Sequence, residues 1–183
     1  MRYLDNSWAD IEIIEEYKDW QPPVDALRAT TAAISTVPRE HLRGLRRIVL
    51  TNASGLNRIR RRKKAKDNGR TRKSIEALGF YQQAWQGGAA SIELLVDNII
   101  AQCPRSMKLP AIRDVFFADI LFHELGHHIH RTRAKQFRDR ECVADDWARR
   151  LGELYLRKRG WYLLPLLRWL GLYTSLRITR RSV

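Results

Sequence analysis

The stretch that most restricts what this chain can fold into is Ile120-Leu121-Phe122-His123-Glu124-Leu125-Gly126-His127-His128-Ile129-His130. A helix turns by about 100° per residue, so His123 and His127 share one face, roughly 6 Å apart along the axis at about 1.5 Å per residue. Two imidazoles at that spacing can bind one Zn²⁺, each through a nitrogen about 2.0–2.1 Å from the metal. Glu124 lies one step round the helix, near the open side of such a metal. There it can take a proton from water and hand it to a leaving amine. Gly126 adds no side chain to crowd the site, while Leu121, Phe122, Leu125 and Ile129 supply apolar surface for burial. The competing reading of so short a motif is an amphipathic helix with ordinary surface histidines.

A catalytic zinc wants a third protein ligand and one position left for water. Downstream, Arg140-Glu141-Cys142-Val143-Ala144-Asp145-Asp146 offers Glu-x-x-x-Asp. Glu141 and Asp145 share a helix face, so Glu141 is the expected ligand and Asp145 the acceptor for the far N–H of a ligand histidine. Such a bond fixes the tautomer and strengthens the ligand. His128 and His130 face away from the His123/His127 side and are not expected to ligate.

His123-Glu124-x-x-His127 followed by Glu141-x-x-x-Asp145 resembles the gluzincin metallopeptidases, the thermolysin-like clan. The short spacing from His127 to Glu141 and the small chain look more like the minimal gluzincins and the ImmA/IrrE-type regulatory peptidases. The pattern covers roughly residues 40–155, and its sharp part is 123–145. The resemblance implies a zincin-like α+β domain with one Zn²⁺ per chain and a polypeptide substrate. It also implies a Tyr or His donor for the oxyanion. Tyr155, Tyr162 and Tyr173 are candidates, and no motif selects one.

At 183 residues the chain is expected to be one domain with a real core. Its net charge of +14 favours acidic partners, whether nucleic acid, anionic lipid or acidic protein. Cys103 and Cys142 form no C-x-x-C pair, which fits a reducing compartment, and Cys142 reads as a small buried hydrophobe. The first twenty residues carry six carboxylates and no signal-peptide pattern. A cytoplasmic location is the expectation.

Residues 1–38 read as two helices: 7–20, with Trp8, Ile11 and Ile14 as its apolar stripe, and 24–37, with Leu27 and Ile34 inward. A small mixed sheet of about three strands follows, seeded by Ile48-Val49-Leu50, Phe80 to Trp85 and Ser91 to Ile100. The last of these is either an ordinary core strand or an edge strand able to align an extended peptide. Between the first two, residues 58–73 hold ten Lys or Arg against Asp67 alone, most of the chain's excess charge. Blocks of like charge are usually solvated, so this reads as an inserted loop, with phosphate binding as the minority reading. No aromatic residue interleaves it, which argues against a base-stacking platform. The zinc-site helices span 111–158, with Val143, Trp147, Leu151 and Leu154 as the buried face of the second. The tail, 161–183, opens on the apolar run Trp161 to Tyr173 and is expected to be helical. It is too short for a bilayer, which needs about 20 residues. Packing over the domain is its expected role, with membrane-surface binding as the lesser one.

These readings favour a zinc-dependent metallopeptidase. The alternative is a basic nucleic-acid-associated or regulatory protein that uses the zincin domain on DNA-bound partners.

Overall fold

The computed structural model describes residues 10–56, 64–67, 70–73, 76–84, 88–133 and 140–159, with the main chain alone for 64–67 and 70–73. The described residues form a mixed α/β arrangement built on four helices and a four-stranded mixed sheet.

Ile13 and Ile14 lie in a strand, β1 (Glu12–Glu16), where a helix was expected. The i, i+3 spacing of Ile11 and Ile14 suits a helix, but β-branched side chains favour the extended chain when a partner strand is available. That partner is β2 (Leu45–Thr51), which runs parallel to β1 in the register Glu12↔Arg47 to Glu16↔Thr51. Between them comes α1 (Ala26–Ile34). Asp25 caps it by accepting a hydrogen bond from the Arg28 N–H at 2.8 Å. Its inward face is Ala26, Ala29, Thr30, Ala33 and Ile34. Leu27, expected inside, is exposed.

Part of the expected basic loop is ordered as a ribbon. Strands β3 (Lys64–Asp67) and β4 (Arg70–Lys73) pair antiparallel as a separate two-stranded sheet, with Asp67 opposite Arg70. Only Asn68 and Gly69 separate that closing pair, a dipeptide favoured in two-residue hairpin connections. The hairpin signal outweighs the charge run.

β5 (Gly79–Gln82) and β6 (Ala90–Leu95) complete the main sheet, whose order is β1-β2-β6-β5. β6 is parallel to β2 and antiparallel to β5. The 91–100 segment is therefore strand only in its first half and sits inside the sheet. Its partner β2 ends at Thr51, opposite Leu95. Two residues further on each side, Asp97 accepts the Ala53 N–H at 2.9 Å. With no ladder left to join, the chain turns into α2 (Val96–Gln102).

Pro110 occupies the first turn of α3 (Pro110–Thr132), where its missing N–H costs nothing. α3 packs against β5, β6 and α1, and most extensively against α4 (Arg140–Arg159). Phe117, Leu121, Phe122, Leu125 and Ile129 of α3 are fully buried, facing Ile34, Ile48, Leu50 and Ile92 in one core. Each such side chain contributes about 1.5–3 kcal/mol of burial free energy, which fixes the orientation of the helix that carries the histidines. On α4, Val143 and Leu151 are buried as expected, and Ala144, Ala148, Tyr155 and Leu156 join them. Trp147 and Leu154 are partly buried, and Cys142, expected inside, is exposed. No helix among the described residues is long and apolar enough to cross a membrane. The tail expected to be helical, 161–183, lies outside the described residues, as do Ser7 and Trp8.

Candidate metal centre

His123 and His127 stand on the α3 flank that meets the start of α4, and Glu124 lies one step round the helix, against β5. His123 and His127 rings lie 4.8 Å apart at 89° to one another. Glu141, in the first turn of α4, reaches both: its Oε2 is 3.4 Å from His123 Nε2 and its Oε1 is 3.7 Å from His127 Nε2. Among the described residues these three form the one group of donors within 4.8 Å of one another that can hold a metal ion. Ligands about 2.0–2.1 Å from a tetrahedral Zn²⁺ lie about 3.3 Å apart, close to the two imidazole–carboxylate separations.

The protonation pattern supports the same use. His123 Nδ1 is 2.9 Å from Asp145 Oδ1. A carboxylate only accepts, so the imidazole carries its proton on Nδ1 and donates it to Asp145. In the neutral ring Nε2 then presents a lone pair to the Glu141 carboxylate. Two such groups repel unless a cation stands between them, and a proton or a divalent metal fills that role. Asp145 thus lies on the far nitrogen of His123. The His123 side chain is only 6% exposed, whereas His127 and Glu141 keep 19% and 27%. The centre is reachable from solvent on the Glu141 side.

Two glycines set the geometry. A Cβ on Gly126 would lie 2.6 Å from the Ala144 carbonyl oxygen and 2.7 Å from the Ala144 Cα. The missing side chain therefore lets the α3 and α4 backbones touch, and Ala144 sits between Glu141 and Asp145 in sequence. Gly126 relieves crowding against the second helix. A Cβ on Gly79 would lie 2.9 Å from Glu124 Cγ and 3.1 Å from its Oε1. The Glu124 carboxylate therefore rests against the main chain of β5, the outermost strand on this side of the sheet among the described residues. Gly79 carried no motif. An isolated glycine opening a strand, which often marks a close approach of another group, was the available signal.

His128 is fully buried and outside the donor set. Its Nε2 donates to the Arg43 carbonyl at 3.0 Å, and its Nδ1 lies 3.3 Å from the Tyr81 hydroxyl. Burial pushes its pKa below the ordinary value, with the Arg43 bond acting the other way. It ties α3 to the approach of β2 and to β5. His130 is likewise buried and not among the donors. Tyr155 is a core residue whose ring packs 6.1 Å from Phe122. Tyr162 and Tyr173 lie outside the described residues. A cavity of about 260 Å³ between Pro38, His41 and the Trp147–Leu154 side of α4 shares none of the donor residues.

Comparison with protein-family models, curated proteins and solved structures finds no match to this chain. The site stands on its own geometry.

Proposed function

We propose that the chain is a zinc-dependent metallopeptidase with a zincin-like active site and one Zn²⁺ per chain. The observation that carries the proposal is the convergence of His123, His127 and Glu141 on one point, with Asp145 on the far nitrogen of His123. In this reading His123, His127 and Glu141 hold the metal, and Asp145 keeps His123 in the tautomer that offers Nε2. A zinc ion in such a set acts as a Lewis acid and brings the pKa of water to about 7.

The chain's own residues then divide the remaining work. Glu124 accepts a proton from the attacking water as the new C–O bond forms at the scissile carbonyl. It returns that proton to the amine nitrogen as the C–N bond breaks. Because its carboxylate rests on Gly79, its position is set by the β5 main chain. The same strand is the candidate for holding an extended peptide, since an outer strand offers main-chain hydrogen bonds without choosing side chains. That role passes from β6, which lies inside the sheet, to β5. A cytoplasmic location belongs to the same proposal and is supported by two cysteines that form no disulfide.

The test combines elemental analysis with hydrolysis of an unfolded polypeptide by the wild type and by Glu124→Gln. About one zinc per chain in both proteins, with cleavage only in the first, is the expected result. A metal-free protein that takes up no zinc on titration, or full activity in Glu124→Gln, would refute it.

A further inference from the structure

None of the donors of the centre described above comes from the ribbon β3–β4, and the ribbon's chemistry points to a partner of its own. Five of its eight residues are cations: Lys64, Lys66, Arg70, Arg72 and Lys73. The register sets Lys64 opposite Lys73, and like charges paired across strands cost stability. Arg58, Arg60, Arg61, Arg62 and Lys63 precede it directly in the chain. Such an arrangement is stabilised by a partner that carries closely spaced negative charge along a line.

We propose that the Lys64–Lys73 ribbon is a docking element for double-stranded nucleic acid, bound through its phosphates. Duplex DNA presents one negative charge per about 1.7 Å of axis, a density and regularity that folded acidic proteins do not sustain. Its major groove, about 12 Å wide, admits a two-stranded ribbon, whose strands lie about 4.8 Å apart. Single-stranded nucleic acid fits less well. Residues 58–73 contain no aromatic side chain on which bases could stack. Contacts to phosphate carry no sequence information, so binding is expected to be strong at low salt and indifferent to base sequence.

The ribbon's place in the chain gives this docking a consequence. Lys73 is six residues from Gly79, and a fully extended chain of that length spans about 20 Å. Gly79 touches Glu124. A duplex held by the ribbon therefore brings proteins bound to that duplex within reach of the candidate centre. The binding itself does not depend on hydrolysis and can be tested without it.

The experiment is fluorescence anisotropy of the full chain with a labelled random duplex of about 20 base pairs, titrated from about 50 to 200 mM KCl. Each phosphate contact contributes about 0.9 to the slope of log affinity against log salt. Replacing Lys64, Lys66, Arg70, Arg72 and Lys73 together by Gln should flatten the slope by up to about 4.5 and lower affinity at least about 100-fold. Neutralising Arg28, Arg39, Arg105, Lys108 and Arg149 instead removes the same charge from elsewhere and should leave the slope nearly intact. Asp67→Lys adds a cation to the ribbon and should steepen the slope by about 1, a gain that misfolding cannot mimic. Three outcomes would overturn the proposal: no duplex binding at low salt, equal slopes in the two five-site variants, or displacement of the duplex by polyglutamate at equal charge. The last would assign the ribbon to acidic polypeptides.

Discussion

Gly126→Ala is the most incisive single perturbation of the candidate centre, because it changes no donor atom. The added Cβ would stand 2.6 Å from the Ala144 carbonyl oxygen, and ordinary contact begins at 3.4 Å, so the α4 backbone must retreat by about 0.8 Å at that point. The neighbouring atoms are backbone, which cannot rotate aside. The retreat carries the first turn of α4, and Glu141 and Asp145 with it. Metal sites tolerate about 0.2 Å in their ligand distances, so Glu141 should lose its place beside His123 and His127.

Stability should respond much less. Overpacking costs about 1–3 kcal/mol, and the better helix propensity of Ala over Gly returns about 1 kcal/mol. A net loss of about 0–2 kcal/mol is expected. Zinc affinity, measured by competition with a chromogenic chelator, should fall at least tenfold, equivalent to about 1.4 kcal/mol. Gly152→Ala is the control. It lies in α4 with nothing within 4 Å of the added Cβ, and should raise stability by about 0.5–1 kcal/mol without touching zinc affinity. Equal zinc affinities in wild type and Gly126→Ala would refute the claim that this backbone contact positions the third ligand.

Three further outcomes follow from named contacts. Gly79→Ala presses on the Glu124 side chain, so turnover of a peptide substrate should drop at least tenfold while the zinc content stays at one per chain; loss of zinc would show that the glycine supports the ligands and not the base. Asp145→Asn keeps an acceptor for His123 Nδ1 but removes the charge, and should weaken zinc binding by about 10–100-fold in the same competition assay. An unaltered constant would remove Asp145 from the site. His41 packs against the Trp147 ring at 4.9 Å, and its pKa is lowered from 6.5 chiefly by burial, with Glu40 raising it and Arg133 lowering it. The unfolded chain therefore takes up a proton first as pH falls. The stability linked to His41 is full above pH 6.5 and is lost as pH drops through 6.5 toward the lower folded value. Urea midpoints from about pH 7.5 to 5.5 should fall less in His41→Phe than in wild type, and identical pH profiles would exclude the linkage.

What could be read without coordinates divides along a physical line. The candidate metal-binding pattern is local: His123, Glu124 and His127 are set by helix periodicity alone, and Glu141 and Asp145 by a second helix of the same period. Their convergence needed one long-range fact, that α3 and α4 touch at Gly126 and Ala144, and no sequence window holds it. The sheet depended on partners in the same way. Ile11 and Ile14 sit at helical spacing, yet a parallel neighbour at Arg47–Thr51 draws the segment into β1. Leu95 and Val96 belong to one apolar run, but β2 ends opposite the first and the second starts a helix. In the basic segment two local signals competed. Charge repulsion spoke for a solvated loop and Asn68-Gly69 for a hairpin, and strands form on both sides of the dipeptide.

The same division bears on what the site needs in order to work. Every donor predicted from local pattern comes from a helix, whereas the positions of Glu124 and Glu141 each depend on a glycine that lets two elements meet. Gly79 joins β5 to α3, and Gly126 joins α3 to α4. A sequence that kept all five polar residues and lost either glycine would still carry both motifs. By this reasoning it would hold its side chains in the wrong places: without Gly126 the metal donors separate, and without Gly79 the base is displaced from the strand proposed to align the substrate.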